Sequence, residues 1–287
     1  MFETGIVKKI IIVIVCFFMA QVSFAFYILL DTNVVKEGGI IRAKIGNPKP
    51  FSAAEMHLRG KTYPVFYTGY DPSQKDYLYT ALVPISFDII GKKTLLIKYA
   101  MGDDEKEATE IIKVIPLAAR ASKINTGQIN KDFTAALHSE SKLISKMEEK
   151  ITSVKFKIPF IKPVQGRTST DFGAARVYDD GKARWRHKGI DIAAPQGTTI
   201  VATSDGEVVA VYSTKTHGKI IVINHGAGVY SNYYHLSQTF VKMGSQVKKN
   251  QAIGAVGSTG LSTGPHLHWQ INVFGIPVNP ASFMEMF

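Results

Sequence analysis

Two short strings, Arg186-His187-Lys188-Gly189-Ile190-Asp191 and Gly264-Pro265-His266-Leu267-His268-Trp269, constrain this chain more than any other feature. A histidine and an aspartate four residues apart, followed far downstream by a His-x-His pair, offer three ligands suited to a catalytic zinc and one spare imidazole. Zinc takes nitrogen and carboxylate oxygen in tetrahedral geometry, and a working site leaves its fourth position for water or substrate. If both strings are strands, side chains at i, i+2 and i+4 share a face, and each string aims its polar groups at one point. The spacing therefore predicts a β-built metal site. The helical His-Glu-x-x-His zinc pattern does not occur in the sequence.

A chain of 287 residues is expected to hold two domains. Lys and Arg outnumber Asp and Glu 34 to 23, which implies attraction to anionic surroundings. No Lys/Arg block with interleaved aromatics occurs, so the excess reads as a general field and not as a nucleic-acid groove. Residues 155–287 carry 14 Lys/Arg and 7 Asp/Glu, a net +7, which suits a substrate set in an anionic matrix.

At the start, Lys8 and Lys9 precede an apolar run from Ile10 to Ala20, and Ser23-Phe24-Ala25 has the small-x-small form of an export cleavage site. The run falls short of the about 20 residues of a spanning helix. Residues 1–25 are expected to be a signal peptide cleaved after Ala25, with an uncleaved anchor as the lesser reading. The membrane is then involved only through the export signal. If it is removed, Cys16, the single cysteine, goes with it, and the mature chain is expected to have neither disulfides nor thiolate ligands.

From residue 26 to 116, seven short runs separated by turn residues predict a small immunoglobulin-like β-sandwich. The runs are 28–30, 39–45, 54–58, 63–67, 77–84, 93–99 and 110–115. His57 reads as an ordinary strand histidine. Residues 117–154 read as a linker and an amphipathic helix, because Ile129, Phe133, Ala136, Leu137, Ile144, Met147 and Ile151 recur at steps of about three and four. Such a helix docks by one apolar stripe; a plug across the active groove is the alternative. Residues 155–287 return to strands, with Val241 among them, separated by Gly-containing turns, and predict an antiparallel β domain. The fold class expected for the whole chain is mainly β.

Within that last domain an ordered series of motifs appears. Phe172-Gly173, His187-x-x-x-Asp191, Ala194-Pro195-x-Gly197-Thr198 and Asp205-Gly206-x-Val208 are followed by Asn224-His225-Gly226, Tyr234-His235-Leu236-Ser237 and Gly254-x-x-Gly257-x-x-Gly260. The series closes on Ser262 to His268 and Val278-Asn279-Pro280. It resembles the LytM or lysostaphin-type zinc peptidases, family M23, over roughly residues 158–283. The resemblance implies that His187, Asp191 and His268 hold one zinc ion per chain. It also implies that His266 and His235 face the water and the scissile carbonyl. We assign His266 as principal general base and His235 as transition-state stabiliser, an order that sequence leaves open to exchange.

Arg176, Tyr178, Arg184, Tyr233 and Tyr234 are candidates for the rim of the groove, and His225 is a wall or turn residue that also stands as a candidate for substrate contact. His217 is expected on an exposed loop and His138 on the solvated side of the helix. Two positions depart from the family pattern: Gln270, where relatives often carry Glu, and Tyr178-Asp179-Asp180-Gly181, where many have an Asn-Gly turn.

The function implied is hydrolysis of peptide cross-links or stem peptides of bacterial peptidoglycan, leaning to D,D-type bonds with oligoglycine bridges as the alternative. The location implied is the periplasm or cell envelope, with peptidoglycan and envelope proteins as partners. The competing reading is a catalytically silent activator of other wall hydrolases. Removal of residues 26 to about 150 is expected to leave a folded and equally or more active domain.

Overall fold

The structure is a computed structural model that describes residues 26–118, 121–124, 131–153, 158–178 and 183–286. The expected signal peptide, its cleavage site, Cys16 and the turn at 179–181 lie outside these residues. Side chains are described for 26–118, 135–153, 158–175 and 185–286. The chain divides into two compact units, one ending at Pro116 and the other beginning at Leu117.

The first unit is built of strands β1 (Tyr27–Leu30), β2 (Val34–Lys36), β3 (Ile40–Asn47), β4 (Ala53–Leu58), β5 (Lys61–Asp71), β6 (Asp76–Pro84), β7 (Gly91–Met101) and β8 (Asp104–Ile115). Their order across the ladder is β1-β3-β6-β5-β4-β7-β8-β2. With β2 set aside, the remaining seven strands pair as first-second-fifth-fourth and third-sixth-seventh, the order of an immunoglobulin constant-type sandwich. The long β5 joins the two halves: residues 61–64 pair with β4 and residues 65–71 with β6. Phe51 bridges them at one end, 4.5 Å from the Tyr79 ring of β6 and 5.3 Å from the Tyr99 ring of β7. β2 was not legible as a strand, since it is three residues long and pairs parallel to β8 at the edge.

The second unit begins with β9 (Ala121–Ile124) and helix α1 (Lys131–Met147). It continues through β10 (Arg167–Thr170), β11 (Ala175–Tyr178), β12 (Ala183–Arg186), β13 (Ile190–Ala193), β14 (Thr199–Val201), β15 (Gly206–Thr214), β16 (Gly218–Gly226) and β17 (Val229–Leu236). β18 (Gln238–Thr239), β19 (Gln246–Val247), β20 (Ala252–Ala255), β21 (His266–Val273), β22 (Ile276–Val278) and α2 (Pro280–Met286) complete it. The main sheet runs β10-β13-β21-β17-β16-β15-β19, with β22 also on β21. Val241 lies beyond β18 in a loop, contrary to expectation. Two small sheets, β12-β11-β9 and β14-β20-β18, complete the unit. The β9–β11 pairing is parallel, so the unit is not wholly antiparallel.

β21 explains where a site can form. Its residues alternate strictly: His266, His268, Gln270 and Asn272 share one face, and Leu267, Trp269, Ile271 and Val273 share the other. All four apolar side chains are 0% exposed, so the apolar face belongs to the core and the polar face is left for chemistry. Register extends that face sideways. Asp191 of β13 lies opposite His268, and on the other side Tyr234 of β17 lies opposite His268 and Asn232 opposite Gln270.

α1 covers part of this polar face. Ile144 packs with Ala210, Ile220, Val222, Tyr230 and Tyr234, and Met147 lies beside them. The helix ends at Met147, so Ile151 is not on its stripe and is 49% exposed. Beyond it, Glu148 is buried, and Thr152 accepts a backbone hydrogen bond from Ala227 at 2.8 Å. The stretch expected as a linker is thus built into this unit, and a cut near residue 150 would uncover Tyr230 and Tyr234.

Burial pushes the Glu148 carboxyl up from its ordinary 4.5 to about 7, against Asn232, Asn272 and Lys188, which act in the other direction. A raised carboxyl binds its proton more tightly in the folded state. Its contribution to stability is therefore full below about 4.5 and is lost as pH rises through about 7. The difference in Tm between Glu148→Gln and the parent chain should shift toward the variant across that window. A difference that stays constant with pH would contradict this.

Candidate metal centre

The first string is not one continuous strand, so His187 and Asp191 do not share a strand face. β12 ends at Arg186 and β13 begins at Ile190, so His187 sits in the break between them. Its backbone is held there by hydrogen bonds from Gly173 N to His187 O (2.7 Å) and from His187 N to Ala174 O (2.9 Å). From that position its Nε2 lies 2.9 Å from Asp191 Oδ1 and 2.8 Å from His268 Nδ1. Asp191 Oδ1 and His268 Nδ1 are 2.7 Å apart. Two imidazole nitrogens and one carboxylate oxygen thus form a small triangle on the polar face of the sheet.

The surroundings orient these donors. His187 Nδ1 donates to the Asp171 carbonyl at 2.9 Å, which leaves Nε2 as the lone-pair nitrogen. Burial alone would raise the Asp191 carboxyl, but the His187 and His268 imidazoles set against it outweigh burial and hold the group well below the usual carboxylate range. Such a group is a ready anionic ligand. Gly189 makes room for the His268 ring: a Cβ there would lie 2.4 Å from the Trp269 carbonyl oxygen and 3.0 Å from His268 Cε1 and Nε2. A nitrogen, nitrogen and oxygen donor set fits zinc.

Two further imidazoles stand beside the triangle. His266 shares the face of His268; its Nδ1 donates to Gly264 O at 2.8 Å, and its Nε2 is 3.9 Å from Asp191 Oδ1. His235 is less obvious, because on a regular strand it would face away from its neighbour Tyr234. A positive φ of 62° at His235, with a break in register between Ile221 and Lys219, turns it. Its ring centroid then lies 4.8 Å from that of His266. Non-glycine residues in this backbone region are strained and often functional. His235 Nδ1 donates to Thr259 O at 2.8 Å, and burial, with the His266 and His268 imidazoles adding to it, pushes its pKa down to about 3. At neutral pH it is an uncharged imidazole with a lone pair on Nε2.

Of the rim candidates, Tyr233 is corrected. Directly opposite Trp269 on the apolar face, it is 0% exposed, and its hydroxyl accepts from Thr203 N at 3.1 Å. His225 is corrected likewise: it is 0% exposed, with Nδ1 2.7 Å from Asp205 O and Nε2 2.7 Å from Ser231 Oγ. Neither can touch a substrate. Tyr234 is on the site face but fully packed, its ring 5.1 Å from His268. Arg176 lies within β11, Tyr178 ends it and Arg184 lies in β12, but their side chains are outside those described.

His217 is not a free loop residue. Its Nδ1 lies 2.9 Å from Glu140 Oε2 of α1, and its ring packs on Tyr234. His138 is exposed as expected, edge-on to Trp185. The carbonyls that orient the imidazoles, Asp171, Thr259 and Gly264, carry no sequence signal of their own. Replacing Gly189 with Ala should shift the β21 backbone at Trp269 together with the His268 imidazole and weaken zinc binding by about 10- to 100-fold. Competition against a chromophoric chelator measures it, and unchanged affinity would contradict the packing argument.

Residues 185–280 match the sequence model of Peptidase family M23. Peptidoglycan DD-endopeptidase ShyA of Vibrio cholerae is 32% identical over 193 residues, 67% of this chain and 41% of ShyA. DD-carboxypeptidase/endopeptidase Mpg of Neisseria meningitidis serogroup B is 46% identical over 99 residues, 34% of this chain and 23% of Mpg. The chain therefore spans less than half the length of either relative. A crystal structure of a peptidase M23 protein from Pseudomonas aeruginosa aligns with a TM-score of 0.65 over 89% of this chain and 96% of that one. At 24% identity it shows a shared fold. The matched stretch encloses His187, Asp191, His235, His266 and His268, and the domain they line belongs to peptidase family M23.

Proposed function

We propose that this chain is a zinc-dependent endopeptidase that hydrolyses peptide cross-links or stem peptides of bacterial peptidoglycan, D,D-type bonds foremost. The observation that carries this reading is the donor triangle of His187, Asp191 and His268 with two more imidazoles at its edge. Zinc held by these three residues would lower the pKa of a water toward about 7 and polarise the scissile carbonyl. The names of ShyA and Mpg support the substrate class. An exported location, periplasmic or envelope-associated, follows from that substrate.

The remaining steps belong to the protein's own side chains. With Nδ1–H committed to Gly264 O, His266 presents Nε2 as a proton acceptor at the edge of the triangle. It takes a proton from the attacking water and later delivers it to the leaving amine. His235, tied through Nδ1 to Thr259 O, likewise offers Nε2. It would stabilise the transition state as an imidazolium, taking its second proton from solvent and donating it to the developing oxyanion, whose negative charge offsets the burial that disfavours the charged form. Because burial disfavours the charged form of His235, we keep His266 as the principal base.

Zinc-loaded chain incubated with purified sacculi should release uncross-linked muropeptides. His266→Ala should lower kcat by about 10²- to 10⁴-fold with metal content unchanged. His187→Ala should lose both metal and activity. Bound zinc without release of any muropeptide would sink the enzyme reading in favour of a silent activator of other wall hydrolases. Cleaved glycan with intact cross-links would reject the substrate.

A further inference from the structure

The residue just past α1 is placed in a way that helix docking does not require. Glu148 is 1% exposed, and its carboxylate lies on the polar face of the main sheet. Asn232 Nδ2 donates to one carboxylate oxygen at 2.7 Å and Asn272 Nδ2 to the other at 2.6 Å. Asn272 is on the same face of β21 as His266 and His268, and Asn232 stands opposite Gln270, which lies between them. Removing a carboxylate from water is costly unless it is fully compensated. Here the two amides and the charge of Lys188 act toward the carboxylate form, against its burial.

The helix has other means of attachment. Ile144 is buried in an apolar cluster, and Glu140 accepts from Thr216 Oγ1 and lies within hydrogen-bond distance of His217 Nδ1. An apolar residue at 148 would dock at lower cost. What Asn232 and Asn272 provide is a two-pronged cradle of the size and polarity of a carboxylate, in line with the metal centre. At about 3.4 Å per residue, it lies roughly 7–14 Å from His268, two to four residues along an extended peptide.

We propose that Asn232 and Asn272 form a carboxylate-binding subsite of the substrate groove, filled in this structure by Glu148 of the segment that follows α1. The ligand class is a peptide with a free carboxylate two to four residues from the scissile bond, and it binds by displacing Glu148. The substrate part of this inference rests on the peptidase reading above. The space beside the metal centre reaches the sheet as far as Gln270 and stops short of this cradle. The cavity between α1 and the metal centre, lined by Leu137, His138, Trp185, His187, His217 and His268, has a volume of about 180 Å³. Ligand pockets usually need about 300–1,000 Å³. Asn232 is 0% and Asn272 3% exposed, so the segment after α1 has to move before a peptide can reach them, and Glu148 is its polar fastening.

The test uses the full chain without zinc, as parent, Glu148→Ala and Glu148→Gln. Each is titrated with acetyl-D-alanyl-D-alanine and with its C-terminal amide while the side-chain amides of Asn232 and Asn272 are followed by NMR. In both variants the carboxylate form should shift these amides and bind at least about fivefold tighter than the amide form; the parent should respond about tenfold more weakly. Adding Asn272→Ala to Glu148→Ala should abolish the preference. Equal affinity for the two forms, or a preference that survives Asn272→Ala, overturns the subsite. Loss of cooperative melting in both variants overturns it too, because Glu148 would then be a structural anchor. Sacculus digestion by the parent chain tests the peptidase reading separately. Digestion without carboxylate preference removes the subsite alone, and preference without digestion removes the peptidase alone.

Discussion

The site depends on one strand that belongs to two environments at once. β21 buries Leu267, Trp269, Ile271 and Val273 on one side and turns His266, His268, Gln270 and Asn272 to the other. A slip of one residue in its pairing would send the imidazoles into the core and the indole into the groove. Burial of four large side chains therefore holds the register, and the register sets Asp191 beside His268. Chemistry on the polar face is paid for by packing on the other.

Two local exceptions to strand regularity complete what the regular part cannot. The break before β13 lets His187 come in from outside the ladder, and the left-handed backbone at His235 brings round a ring that alternation would have hidden. Both exceptions are held by ordinary hydrogen bonds, from Gly173 N to His187 O and from His235 N to His217 O. Fixed carbonyls at Asp171, Thr259 and Gly264 then select which ring nitrogen of each imidazole keeps its lone pair. Pre-set orientation of this kind reduces the reorganisation needed when charge develops.

Much of this could be read from residues alone, and the reasons are specific. His-x-His within an alternating polar and apolar run announces its own face. The seven strands of the first unit were marked by turn residues such as Gly102-Asp103 between β7 and β8. Tyr233 and Tyr234 could not be told apart, because which of two adjacent residues faces the groove depends on register with β21, a pairing between distant segments. His225 was ambiguous for the same reason. His217 reads as an exposed loop residue because its partner, Glu140, lies 77 residues earlier in a different element. Glu148 carried no signal at all: in an amphipathic pattern it reads as one more solvated charge, and only the fold shows two amides waiting for it.

The central claim is that one divalent ion is bound by His187, Asp191 and His268. X-ray absorption at the zinc edge on zinc-loaded full chain tests it most directly. The account predicts a shell of two imidazole nitrogens and one carboxylate oxygen at about 2.0–2.2 Å, with a solvent oxygen in the fourth position. His268→Ala should remove one imidazole from that shell or the metal altogether. A zinc shell without imidazole, or one unchanged by His268→Ala, would contradict the claim.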